Sequence, residues 1–230
     1  MDGYPDRINK DLNAPNVIEF PIDHDVVSQS YADVNDILGA GLFEGVRVSG
    51  SSGIGLYSLT AKWNGDLRWV SAGNHTGFEF FQKYFDELHV ARLTQDILGD
   101  GGELIMYSGF FVTRSHMSAS HYHHDYSTGV GMNALTLMTP IQSVVGHGHL
   151  LYEDLQGNEQ VYEYSLGKAV SFGADFYHST QPFSANAPYC FLCFTYGLRN
   201  AEQWDLIAET VADQGIMYRH PTLGIVENEE

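Results

Sequence analysis

The chain has 230 residues, enough to bury a sizeable core within one domain. Its 29 acidic residues outnumber 11 Lys and Arg, for a formal net charge of -18. A field of that sign repels polyanions, which excludes nucleic acid and anionic membrane surfaces as default partners. No apolar run approaches the roughly 20 residues that span a bilayer.

The opening stretch, MDGYPDRINKDLNAPN, is polar and has no apolar run behind a basic start, so neither a leader nor an anchor is expected. SQSYADVNDIL (28–38) and FEFFQKYFDELHVARLTQDIL (78–98) predict helices, the second burying Phe80, Phe81, Tyr84, Phe85 and Leu88 on one face. Between them, VRVSGSSGIGLYSLTAKW (46–63) and DLRWVSA (66–72) predict strands around a Gly/Ser turn. From residue 103 the pattern changes to short runs separated by turn signals: ELIMYSGFFVTR, ASHYHHDY, NALTLMTPI, HLLYED, EQVYEYS, KAVSFG, FYHSTQP and YCFLCFTYG. Eight strand candidates at such spacing predict a β-sandwich or barrel, with Leu155-Gln156-Gly157-Asn158 as a hairpin turn. Cys190 and Cys193 lie three apart on a strand and face opposite sides, so they form no disulfide; the expectation is a cytoplasmic protein with reduced thiols. AEQWDLIAETVADQ (201–214) predicts a last helix before an acidic tail. The expected organisation is an N-terminal helix and strand region (1–102) packed on a β core (103–197), with a C-terminal helix and tail (198–230), all in one structural domain.

Chemistry concentrates in HYHHDY, residues 121–126. On a strand, side chains two apart share a face, so His121, His123 and Asp125 point one way while Tyr122, His124 and Tyr126 point the other. His123-x-Asp125 offers an imidazole and a carboxylate, and His178 in FGADFYHSTQPF offers a third ligand. Two histidines and one carboxylate make the facial set that holds non-haem Fe(II) and leaves coordination positions open. His121 is placed beside the ligands or against substrate. His116 is a candidate for the pocket mouth. His147-x-His149 is read as structural.

These residues, in this strand order, resemble the Fe(II)/2-oxoglutarate-dependent oxygenases, whose fold is a double-stranded β-helix (jelly roll) of the cupin-like superfamily. The resemblance covers 103–197, with His123-x-Asp125 on the second strand and His178 on the seventh. It implies a mainly β fold with flanking helices, an iron centre at His123, Asp125 and His178, 2-oxoglutarate as cosubstrate, and ascorbate as an accessory. One departure stands out. The family usually places an Arg or Lys near the start of the eighth strand to clamp the far carboxylate of 2-oxoglutarate; here that position falls in Ala187-Pro188-Tyr189, and Arg199 comes too late. In the resembled fold the first and eighth strands are antiparallel neighbours, so Arg114 is the expected substitute. Lys168 is less favoured, and Tyr189 and Asn133 are further polar candidates around the cosubstrate.

The implied activity is hydroxylation of a small neutral or cationic molecule or of a basic protein segment. Aromatic residues Tyr57, Trp63 and Trp69 in the N-terminal strands are candidate contacts for it. Two alternatives stay open on the sequence: a cupin-type metalloenzyme without a 2-oxoacid, and a non-catalytic β-helix binding domain.

Overall fold

In a computed structural model, residues 3–39, 45–61, 64–199 and 202–228 are described. Trp63 lies outside them. The chain opens with β1 (Ile8–Asn9), β2 (Ala14–Pro15) and β3 (Val17–Pro21), then α1 (His24–Ala32) and α2 (Asn35–Gly39). Strands β4 (Arg47–Ser49), β5 (Gly55–Ala61) and β6 (Asn64–Ala72) lead to helices α3 (His75–Glu87) and α4 (Val90–Leu98). Then come β7 (Leu104–Met117), β8 (Ala134–Pro140), β9 (Leu150–Glu153), β10 (Glu159–Tyr162), β11 (Lys168–Phe172), β12 (His178–Thr180) and β13 (Phe183–Leu198). Helix α5 (Trp204–Gln214) and the hairpin β14 (Met217–His220) and β15 (Gly224–Glu227) complete the described order. No described helix is long and apolar enough to cross a membrane.

Among the described residues, an eight-stranded sheet runs β3-β11-β8-β13-β7-β6-β5-β4 and faces a three-stranded sheet, β10-β9-β12. Every pairing in both is antiparallel. These two sheets make the jelly roll that the family resemblance implied, mainly β with flanking helices. Strands β3 to β6, from the N-terminal hundred residues, extend the large sheet at both ends.

Alternation along the strands sorts the core into two faces. Leu135, Leu137, Cys190, Leu192 and Phe194 pack with the helices on one face, while Met138, Phe172, Phe191 and Cys193 line the interior between the sheets. Both thiols are free and buried, one on each face, as their spacing demanded. Burial pushes Cys190 up to about 12.

Two local features correct the sequence expectation. The long helix over 78–98 is broken at His89, which takes a left-handed conformation at φ 53. Leu88 and Val90 lie about 200° apart around a straight helix, yet both are buried in the same core; only a break lets both face it. The second feature is a bulge between β7 and β13. Ser108 pairs with Thr195 and Met106 with Tyr196, leaving Tyr107 as the extra residue. Leu104 and Met106 therefore face the helices, whereas Phe110 and Val112 face the interior.

Candidate metal centre

The strand expected over ASHYHHDY does not form. Residues 118–133 run as loop, touching a sheet only through one antiparallel bridge, His123 to His178. Both backbone bonds of that bridge are made, at 2.9 and 3.1 Å. The Ser179 hydroxyl accepts the His121 N–H at 2.6 Å just beyond it. A single pair suffices to bring the imidazoles together, and β12 already spends its other edge on β9. The Asp125 carbonyl accepts the Thr210 hydroxyl of α5, which pins the loop from the far side.

Ligand atoms of His123, Asp125 and His178 all lie within 4.8 Å of one another. Asp125 Oδ1 stands 3.4 Å from His123 Nε2 and 3.6 Å from His178 Nε2. Donors sharing one ion at about 2.1 Å and near right angles stand roughly 3 Å apart, so the set fits a metal with little adjustment. Hydrogen bonding fixes the tautomers. His123 Nδ1 donates to the His121 carbonyl and His178 Nδ1 to the Phe176 carbonyl, each at 2.9 Å. A carbonyl only accepts, so the proton sits on Nδ1 and each Nε2 turns a lone pair towards Asp125. Three lone-pair donors converging on one point repel one another, and a cation resolves that repulsion.

The electrostatics agree. Burial alone would raise the Asp125 carboxyl, but the neighbouring His123 and His178 imidazoles and the Thr136 hydroxyl outweigh it and bring it down to about 2. Burial, reinforced by neighbouring His123, drops His178 to about 4 and keeps it a neutral ligand. His123 is the exposed member of the set, its side chain 47% accessible against 6% for His178. Although burial lowers its pKa, the Asp125 contact raises it further than that.

A cavity of about 90 Å³ opens from the three ligands into the jelly roll, walled by Leu67, Phe110, Val112, Met138, Leu150 and Phe172. Arg114 projects into it and is only 4% exposed. Its Nη1 donates to Thr180 Oγ1 at 2.7 Å, and its guanidinium lies 4.8 Å from the centre of the Phe191 ring. Nε and Nη2 meet no partner. These two nitrogens form one edge of the guanidinium, the fork that engages a carboxylate with parallel hydrogen bonds. Arg114 pairs across the ladder with Tyr189, at the strand start that lacks a basic residue.

Other expected contacts lie elsewhere. Asn133 accepts the Tyr4 N–H at 2.7 Å and donates to Gln203 at 3.1 Å; it ties the chain ends together before β8 and does not line the cavity. The Tyr189 hydroxyl donates to the Val145 carbonyl at 2.9 Å, and its ring stacks on Phe183, so it braces a loop. Lys168 pairs with Glu19 at 2.9 Å and Arg199 with Glu103 at 2.6 Å. His116 is exposed, its N–H held by Asp66, away from the cavity. His149 accepts the Tyr164 N–H, and the only described cluster that fits a metal is the one above. His121 does line the cavity. Tyr57 packs among the helices, but Trp69 reaches the site. Sequence reasoning missed Thr136, Thr180 and Gln214. Thr180 carried a signal, since it sits two residues from His178 on one strand face; Gln214, at a helix end, carried none.

No protein-family model matches the chain, and no curated protein matches it in sequence. Solved structures match its fold. SnoN, the non-heme alpha ketoglutarate dependent epimerase from nogalamycin biosynthesis, superposes with a TM-score of 0.58 at 13% identity, over 80% of this chain and 79% of that one. A Pseudomonas putida prolyl-4-hydroxylase gives 0.51 at 15% identity, over 80% and 94%. A Trichoplax adhaerens prolyl hydroxylase in complex with a hypoxia inducible factor peptide fragment gives 0.56 at 12% identity, over 84% and 86%. The chain has the jelly-roll fold of the Fe(II)/2-oxoglutarate oxygenases.

Proposed function

We propose that the protein is a non-haem Fe(II)- and 2-oxoglutarate-dependent oxygenase, with His123, Asp125 and His178 holding iron and Arg114 holding the distal carboxylate of the cosubstrate. The observation that carries this reading is the Arg114 fork. A buried cation with two unmet donors costs several kcal/mol unless an anion meets it, and it projects into the same cavity as the metal ligands. A dicarboxylic 2-oxoacid satisfies both ends of that cavity. SnoN, similar in fold, has been crystallised with Fe3+ and alpha ketoglutarate. Cupin-type and non-catalytic readings leave the fork unexplained.

Iron held this way supplies, with 2-oxoglutarate and dioxygen, oxidation of an unactivated C–H bond coupled to loss of carbon dioxide and formation of succinate. The chain's residues prepare the ground for it. Thr180 orients the guanidinium; Thr136 and Thr210 hold Asp125 from both ends; the apolar walls exclude water and strengthen each charge contact. Hydroxylation of a small neutral or cationic molecule, or of a basic protein segment, is the proposed outcome, in a cytoplasmic setting that suits the reduced thiols.

The test is anaerobic. Fe(II) and 2-oxoglutarate added together should produce a weak visible metal-to-ligand charge-transfer band, absent in His178→Ala. Iron binding with no band would sink the reading.

A further inference from the structure

Beyond the inner cavity lies an outer one of about 280 Å³, bounded by Trp69, His121, His124, Thr210, Asp213 and Gln214, with His123 and Asp125 at its floor. Trp69, His121 and Gln214 border both spaces, so the outer cavity is the approach to the metal. Its walls come from three elements. Trp69 stands on β6, on the face that also presents Leu67 to the site. His121 and His124 belong to the metal loop. Asp213 and Gln214 end α5, whose placement depends on the glycine that follows. A Cβ on Gly215 would come within 2.9 Å of Ser71 on β6, so only a glycine lets the helix end close against that strand.

The chemistry of this vestibule is one-sided. Its one large apolar wall is an indole, the aromatic face that best attracts a cation. Asp213 is exposed and offers a full negative charge. No Lys or Arg stands among its described lining residues, and Arg114 is buried in the inner cavity. An anionic substrate would meet Asp213 uncompensated, and an uncharged one would leave it unused. The chain's net charge of -18 draws cations towards such a mouth.

We infer that the outer cavity recognises an organic ammonium group, held between the Trp69 indole and the Asp213 carboxylate, and that this group presents a small-molecule substrate to the metal. The inference rests on the oxygenase reading only in treating the vestibule as a substrate site. Its test is a binding measurement: calorimetric titration of the full chain with butylammonium, butanol and butyrate, at about pH 8, above the ordinary imidazole range. The titrations are made with Fe(II) and 2-oxoglutarate present anaerobically, and again without them. Butylammonium should bind about tenfold tighter than butanol, with butyrate weakest. Asp213→Asn should remove most of that preference, Asp213→Lys should turn it towards butyrate, and Trp69→Leu should weaken butylammonium more than butanol. Three probes binding within about twofold of one another would overturn the inference; so would a preference that Asp213→Lys leaves intact. Ammonium preference without any charge-transfer band would count against the oxygenase reading and leave this one standing.

Discussion

Arg114 poses an electrostatic problem that the proposed cosubstrate would answer: its free edge is unpaired inside the cavity. Replacing it with Gln should raise the apparent Kd for 2-oxoglutarate by at least about thirtyfold, equivalent to about 2 kcal/mol, while iron affinity stays unchanged. Arg114→Lys keeps the charge without the fork and should fall in between. Anaerobic titration of the charge-transfer band reads both. Asp66 offers a second residue-level test. Burial would raise its carboxyl, but hydrogen bonds from the Ser115 backbone and hydroxyl and the His116 backbone lower it below its usual range. Its stabilising contribution is therefore whole above about pH 4 and drains away as pH falls through the folded value. In Asp66→Asn, urea midpoints measured down that range should decline less steeply than in the parent. At this scale the sequence was legible where residue type and spacing carry the chemistry. His123, Asp125 and His178 lie together as their types and spacing suggested, and Arg114 was reached through the resembled fold, whose first and eighth strands are neighbours, together with a shortage of basic residues. Asn133 and Tyr189 misled because polar side chains at strand starts are as useful for tying loops as for binding ligands, and the two uses look alike in a string of letters.

Elements were legible when their period is clean and obscure when tertiary demand overrides it. The aromatic face of α3 was predicted and found, with Phe81 and Phe85 packed on Phe111 and Phe194. The break at His89 was invisible because it satisfies burial at Leu88 and Val90, not a local preference. HYHHDY was misread as a strand for the opposite reason: its alternation is real, but one bridge with His178 is all the pairing it has. Phe81→Ala should cost about 3–5 kcal/mol in chemical denaturation yet leave the charge-transfer band in place, because the helix layer and the metal lie on opposite faces of the large sheet. Gly215→Ala should affect both stability and the site. Its new Cβ meets Ser71, so α5 must retreat; a loss of about 1–3 kcal/mol is expected, together with weakened butylammonium binding as Asp213 and Gln214 move off the vestibule.

For the molecule as a whole, the converging lone pairs and the unmet fork mean that ligand-free folding carries costs which ligands remove. Metal at a hundredfold excess over its Kd should add about 2.7 kcal/mol to unfolding free energy, and saturating 2-oxoglutarate should add more only when metal is present. Thermal melts with and without a chelator check both. An increment from 2-oxoglutarate that ignores the metal would place the cosubstrate away from it. Legibility at this scale was good for the jelly roll and poor for its extent. Of the strands before residue 103, β4 to β6 were read as strands and β3 was not, and their membership of the main sheet depends on pairings such as β6 with β7 and β3 with β11, which no local pattern encodes.

The bulge at Tyr107 gives the gene an uneven tolerance for length change. Because the surplus residue already reverses the alternation within β7, loss of that single codon would leave Met106 against Tyr196 and Ser108 against Thr195 as ordinary neighbours, with Arg114 still facing the cavity. A codon lost between Phe110 and Thr113 has no such slack and would turn Arg114 out of the cavity. Insertions and deletions in the β9–β10 turn should pass with little effect. The same strand should thus forgive a deletion at 107 and punish one a few codons later.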